Sequence, residues 1–162
     1  MEKILENLEE AEKLIKTTDH LIYLSFPLLK DKRILLKAVI KIKEVLNKCI
    51  NSILKYDFLD KKIRLYKDPK KNFKVFKDTS AKRYNINPQE IKEIIEIFDL
   101  AEHQEKSSME FMKNNQVIIL SETMQQKQVT LEKTKSFLFL AKNILKKTKE
   151  NLKINIKTQK PF

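Results

Sequence analysis

The sequence predicts an all-α protein, a four- to five-helix bundle that opens on a long N-terminal helical hairpin. Three observations predict it. Apolar residues recur at alternating spacings of three and four along most of the chain. Helix-capping residues stand at the starts of three such stretches, at Asp31, Asn87 and Thr130. And not one of the 162 residues is glycine. At ordinary usage about eleven would be expected, and a fold with many tight turns needs them most, because glycine reaches positive φ at no steric cost.

The first helix is predicted over residues 2 to 24, where Ile4, Leu8, Ala11, Ile15, Thr18 and Ile22 fall on one face, flanked by Leu5, Leu14 and Leu21. Pro27 is expected to break or sharply kink the chain, since it lacks a donor and crowds the preceding turn. Asp31 then caps a second helix whose stripe runs from Leu35 through Ala38, Val39, Ile42, Val45, Leu46, Cys49, Ile50, Ile53 and Leu54 to about Tyr56. Together these two helices form the hairpin.

From Asp57 to Asn87 the pattern loosens. The run Lys67-Asp68-Pro69-Lys70-Lys71 reads as a loop, followed by a short helix over Phe73 to Tyr84. Asn87, Pro88 and Glu90 make a capping box with proline at the first helical position, opening a helix with Ile91, Ile94, Ile95, Phe98 and Ala101 inward and an expected end near Lys106. Between Ser107 and Gln128 the helical period fails. A small β-hairpin near residues 108–120, turning at Asn114-Asn115, is expected there, with an irregular helix as the competing reading. Thr130 caps the last helix, which places Leu131, Thr134, Leu138, Ala141, Leu145, Thr148 and Leu152 at heptad spacing. Residues 1–154 therefore read as one helical domain and 155–162 as a basic tail.

The missing glycine excludes functions. A phosphate-binding P-loop, a dinucleotide G-x-G-x-x-G turn and a G-x-S-x-G nucleophile elbow cannot be written in this chain, so no nucleotide cofactor is expected. With 41% apolar and 35% charged residues the chain is neither disordered nor membrane-spanning in composition. Its longest nearly apolar run, Leu21 to Leu29, is far short of the ~20 residues that cross a bilayer. The opening Met1-Glu2-Lys3 leads directly into an amphipathic pattern, so no signal peptide is expected. The single cysteine, Cys49, fits a reducing cytoplasm and a buried helix face.

Charge is the positive clue. The net charge of +12 is blocked, with −3 over residues 1–29, +12 over 30–83, −5 over 84–132 and +8 over 133–162. Such blocks predict a basic surface that meets RNA or DNA phosphates. Its residues are expected to be Lys37, Lys41, Lys48, Lys55, Lys61, Lys62, Arg64, Lys67, Lys70 and Lys71, joined by Lys142, Lys146, Lys149 and Lys153 of the last helix. Tyr56, Phe58, Tyr66, Phe73, Phe76 and Tyr84, interleaved with these cations, are candidates to stack on bases or to fill the core. Two other readings stand beside this one. Lysine outnumbers arginine 31 to 3, a bias that an A/T-rich genome imposes through its codons. Acidic and basic segments also suit pairing with each other, within the bundle or across a homodimer. The apolar group Leu24, Phe26, Leu28 and Leu29 would seal such a dimer.

Only His20 and His103 carry imidazole, beside Asp19 and Glu102 respectively. Neither has a second histidine or a Glu-x-x-His partner at ligand spacing, so no metal is expected. Asp19, His20 and Tyr23 lie within about one turn of the first predicted helix, where an acid–base group would sit.

A basic chain of four or five helices with a long first hairpin and a polar, irregular middle resembles the HEPN-like helical bundles. That resemblance implies a partner of nucleotidyltransferases or an RNA-cleaving, toxin–antitoxin component. Active members carry arginine followed after four to six residues by histidine. Arg33, Arg64 and Arg83 have no histidine at that spacing, and residues 96–102 before His103 hold no arginine, so the nuclease motif does not carry over. Ser107-Ser108-Met109-Glu110-Phe111 with Val117-Ile118-Ile119 is similar to a pattern in uncharacterised archaeal helical proteins. The expectation is a non-enzymatic binding or assembly module, meeting nucleic acid or a nucleic-acid-associated protein, with no cofactor.

Overall fold

The structure, a computed structural model, describes residues 2–114 and 129–159. Five helices and no strand occur among them. Helix α1 comprises Glu2–His20, a π-helical turn at Leu21–Ser25 and a final turn at Phe26–Leu29. Helix α2 is Lys32–Leu59. Helix α3 comprises Pro69–Val75, a second π turn at Phe76–Ser80 and Ala81–Arg83. Helix α4 is Pro88–Asn114 and α5 is Leu131–Gln159.

Ion pairs between helices show their directions. Glu10 of α1 meets Lys48 of α2, and Asp19 and Glu12 of α1 meet Lys142 and Lys149 of α5. Rising numbers on α1 match falling numbers on α5, and Lys3 and Asn7 share a cleft with Asn51 and Lys55 beyond the Glu10–Lys48 pair, so α1 is antiparallel to both. Glu90 and Glu96 of α4 meet Lys147 and Lys133 of α5 in the same sense. The four long helices therefore run up, down, up and down, with α2 packed against each of the others.

The core lies between their facing stripes. Ile4, Leu8, Ala11 and Ile22 from α1 meet Val39, Ile42, Leu46 and Ile53 from α2, Ile94, Ile97 and Ala101 from α4, and Leu138, Ala141, Ile144 and Leu152 from α5. Full burial of each leucine or isoleucine contributes about 1.5–3 kcal/mol. Four hydroxyls sit inside this apolar volume without cost in lost hydrogen bonds. Thr18, Ser52, Thr134 and Thr148 each donate to the carbonyl four residues back, at 2.7 Å in every case.

The predicted caps form as hydrogen bonds. Asp31 Oδ1 accepts from Arg33 N at 3.0 Å, Thr130 Oγ1 accepts from Lys133 N at 3.1 Å, and Asn87 and Glu90 bond reciprocally at 2.8 and 3.1 Å.

Four expectations are corrected. The chain does not break at Pro27. The helix widens ahead of it, with the Phe26 N–H reaching the Leu21 carbonyl, and stops only at Lys30 in the left-handed region. The run at residues 67–71 is not wholly loop, because Asp68 Oδ1 caps Lys70 N at 3.0 Å and Pro69 takes the first helical position of α3. Helix α4 does not end near Lys106. Buried Gln104 carries its stripe across a position that hydropathy reads as a gap, and the backbone stays helical to Asn114. The first arm of the expected hairpin, Ser108 to Met112, is therefore helix, while Val117 to Leu120 lies outside the described residues. Finally, α5 runs to Gln159 through most of the segment read as a tail, as no helix breaker occurs between Leu152 and Pro161.

Candidate nucleic-acid interface

The charge blocks of the sequence are the helices of the bundle. Acidic α1 and α4 lie beside basic α2 and α5, and among the described residues ion pairs cross between them at Lys48–Glu10, Lys43–Glu105, Lys142–Asp19, Lys149–Glu12, Lys133–Glu96 and Lys147–Glu90. Surface pairs contribute about 0–1 kcal/mol each. Their consequence for binding is larger, because they remove cations from the set open to a partner.

The predicted residues divide accordingly. Lys48, Lys142 and Lys149 are engaged across helices, Lys62 lies 3.1 Å from Asp60, and Lys146 lies 4.0 Å from Glu150. The Lys153 side chain lies outside the described residues. Lys37, Lys41, Lys55, Lys61, Arg64, Lys67, Lys70 and Lys71 form no ion pair among the described residues. The structure separates Lys37 and Lys41, near the start of α2, from the other six. Those six gather at the end of α2, on the following loop and at the start of α3, where Lys74, Lys77 and Lys82 extend the same segment.

Residues 55–83 hold eleven basic and four acidic side chains. Three of the four acids are engaged: Asp57 by Arg83, Asp60 by Lys62, and Asp68 as the α3 cap. The loop is held at both ends. Arg83 Nη2 donates to Asp57 Oδ2 at 2.5 Å, and Asp57 is 2% exposed. Neighbouring Tyr84 is also buried, and its phenol is pushed well above the usual range by burial and then by the Asp57 charge. At the other end, Asn72 clamps the loop backbone, donating to Tyr66 O at 2.8 Å and accepting from Tyr66 N at 2.7 Å. Arg64, Tyr66 and Lys67 thus project from a braced segment.

Of the six candidate stacking aromatics, Phe76 and Tyr84 belong to the core, and Phe73 packs against Phe76 and Phe98 at ring separations of 5.9 and 5.8 Å. Tyr56 is partly buried, with its phenol pushed up first by burial and then by Asp60. Phe58 and Tyr66 remain about half exposed, and Lys71 Nζ stands 5.8 Å from the Tyr66 ring centroid.

Beside the loop lies an open cleft of about 860 Å³. Its walls come from α1 (Lys3, Asn7), α2 (Asn47, Asn51, Lys55) and the start of α3 (Lys70, Asn72), and its floor includes Ile50, Leu54, Phe73 and Phe98. The sequence reading reached Lys55 and Lys70 but missed Lys3 and the asparagines. A signal existed: 47, 51 and 55 share one edge of a helix, as do 3 and 7.

Elsewhere the chemistry is sparse. His20 is exposed, and His103 Nε2 is buried with no hydrogen-bond partner among the described residues. Cys49 is buried, which pushes its thiol up to about 12. Among the described residues no three His, Cys, Asp or Glu side chains come together as a metal site, and no helix is long and apolar enough to cross a membrane. Comparisons with family models, curated proteins and solved structures find no match for the chain.

Proposed function

We propose that this protein is a non-enzymatic binding module that meets the phosphate backbone of RNA or DNA through the surface formed by Lys55, Lys61, Arg64, Lys67, Lys70 and Lys71. One observation carries the reading. Ion pairs to α1 and α4 engage Lys133, Lys142, Lys147 and Lys149 of α5, whereas Lys55, Lys61, Arg64, Lys67, Lys70 and Lys71, on and beside a braced loop, form no ion pair among the described residues. With lysine as the main cation, contact is with phosphate as point charge rather than by the bidentate fork that arginine offers.

Affinity for mixed-sequence RNA and DNA should fall steeply with salt, with a log–log slope near −4 for about five phosphate contacts. Replacing Lys61, Lys67 and Lys71 by glutamine should reduce that slope by about 3. Replacing Lys142 and Lys146 should leave it unchanged. Absence of binding at low salt removes the proposal.

A ribonuclease of HEPN-like type is the second reading, and the buried Nε2 of His103, without a hydrogen-bond partner among the described residues, is the observation behind it. It requires cleavage of labelled RNA by the purified protein, lost in His103→Ala or His20→Ala. A homodimer is favoured by the apolar end of α1, where Leu28 is 82% and Leu29 71% exposed. Sedimentation at increasing concentration tests it.

A further inference from the structure

We infer that the cleft between α1, α2 and α3 receives an unstacked base of a single-stranded nucleic acid whose phosphates lie on the adjoining basic loop. This rests on the proposed nucleic-acid reading and adds to it the part of the ligand that the surface lysines do not address. The Glu10–Lys48 pair sets the register of the α1/α2 hairpin. Three residues further along each antiparallel helix of that hairpin stand Asn7 and Asn51, and seven residues along stand Lys3 and Lys55. Both helices thus bring an amide and then an ammonium group to the cleft in the same order, and all four residues line it.

The amides discriminate among ligands. Asn72 spends both its donor and its acceptor on the Tyr66 backbone. Asn7, Asn47 and Asn51 make no hydrogen bond among the described residues, so each keeps a planar donor–acceptor pair open to a partner. A simple anion would use the lysines but leave these amides and the Phe73 and Phe98 floor without purpose. An apolar ligand would use the floor and strand the amides. A nucleotide uses all three: its base has flat apolar faces for the floor, donor and acceptor edges for the amides, and a phosphate for Lys3, Lys55 and Lys70. The volume of about 860 Å³ lies in the range of small-molecule sites and admits a base with its sugar. A duplex hides its base edges in pairing, so the strand must be single.

Lys55 and Lys70 belong both to the cleft and to the basic surface, which places the entering base and its flanking phosphates on one continuous path.

Fluorescence anisotropy at low salt with labelled strands of about twelve nucleotides tests it, comparing adenine-bearing RNA, adenine-bearing DNA and an abasic strand of equal length and charge. Either base-bearing strand should bind about tenfold more tightly than the abasic one. The Asn47→Ala/Asn51→Ala variant, with helicity verified by circular dichroism, should bring that ratio to within about twofold while leaving abasic affinity unchanged. Equal binding of abasic and base-bearing strands overturns the inference and leaves the phosphate reading standing. No binding of any strand overturns both.

Discussion

Arg83 Nη2 lies 2.5 Å from Asp57 Oδ2, joining the last residue of α3 to the end of α2 across 26 residues of chain. The carboxylate is buried and the guanidinium is about one-third exposed, so the pair is asymmetric: Asp57 depends on Arg83 more than the reverse. Removing one partner of such a pair leaves a buried charge uncompensated. Arg83→Met should cost about 2–3 kcal/mol in urea unfolding, and Asp57→Asn/Arg83→Met less than the sum of the two singles. A cost below about 0.5 kcal/mol for Arg83→Met would show that solvent replaces the pair.

Two adjacent lysines of α5 should behave differently. Lys147 Nζ donates to Asn85 O at 2.7 Å and to Glu90 Oε1 at 2.6 Å, tying the α3–α4 turn and the α4 capping box to α5. Lys146 is 73% exposed and reaches only Glu150, 4.0 Å away on its own helix. Thermal unfolding should show a loss of about 1–2 kcal/mol for Lys147→Met and less than about 0.5 for Lys146→Met. Equal losses would refute the bridging role of Lys147.

This contrast also shows what could be read in the chain before its fold. Both residues are lysines in the same basic block, and only the packing of α5 against α4 separates them. Local features were legible: the Asn87–Glu90 box, the Asp31 and Thr130 caps and the α2 stripe depend on neighbours a few residues away. Asp68-Pro69 carries the same start signature as Asn87-Pro88 but is obscured by the lysines around it. Pro27 obeys its rule only in part, because a π turn satisfies the backbone at lower cost than a break. The charge blocks were visible, whereas the division of their lysines into paired and unpaired depends on which helices become neighbours. The cleft was hidden for the same reason, as its asparagines come from helices whose register no local pattern encodes.

Glu10 gives the bundle a defined acid sensitivity. Its carboxyl is held below the ordinary 4.5, first by the hydrogen bond from Lys48 and then by the charge of the same lysine. A depressed folded value means that the contribution is complete above the unfolded value and is lost as pH falls through the folded one. Glu10→Gln should therefore lower the thermal midpoint at pH 7, and the difference from wild type should shrink as pH falls below the ordinary 4.5 and through the depressed folded value. A difference that persists unchanged at the acid end would assign the effect to packing rather than to the charge.

Among the described residues, Lys30 at φ 51°, Lys61 at φ 59° and Asn85 at φ 58° take the left-handed conformation that glycine would ordinarily supply. Asparagine tolerates that region through its short polar side chain, whereas a lysine Cβ crowds the following carbonyl oxygen, costing about 1–2 kcal/mol. Glycine removes the crowding but gives back part of the gain through the greater freedom of the unfolded chain. Lys30→Gly and Lys61→Gly should each stabilise the fold by about 0.5–1 kcal/mol, and Asn85→Gly by less. Lys61 lies on the proposed phosphate surface and Lys30 stands apart from it at the α1–α2 turn. Lys61→Gly should accordingly trade stability against nucleic-acid affinity, while Lys30→Gly should raise stability alone. Chemical denaturation paired with strand binding for the two variants separates backbone strain from phosphate contact, and a loss of stability in both would show that the lysine side chains themselves hold these turns.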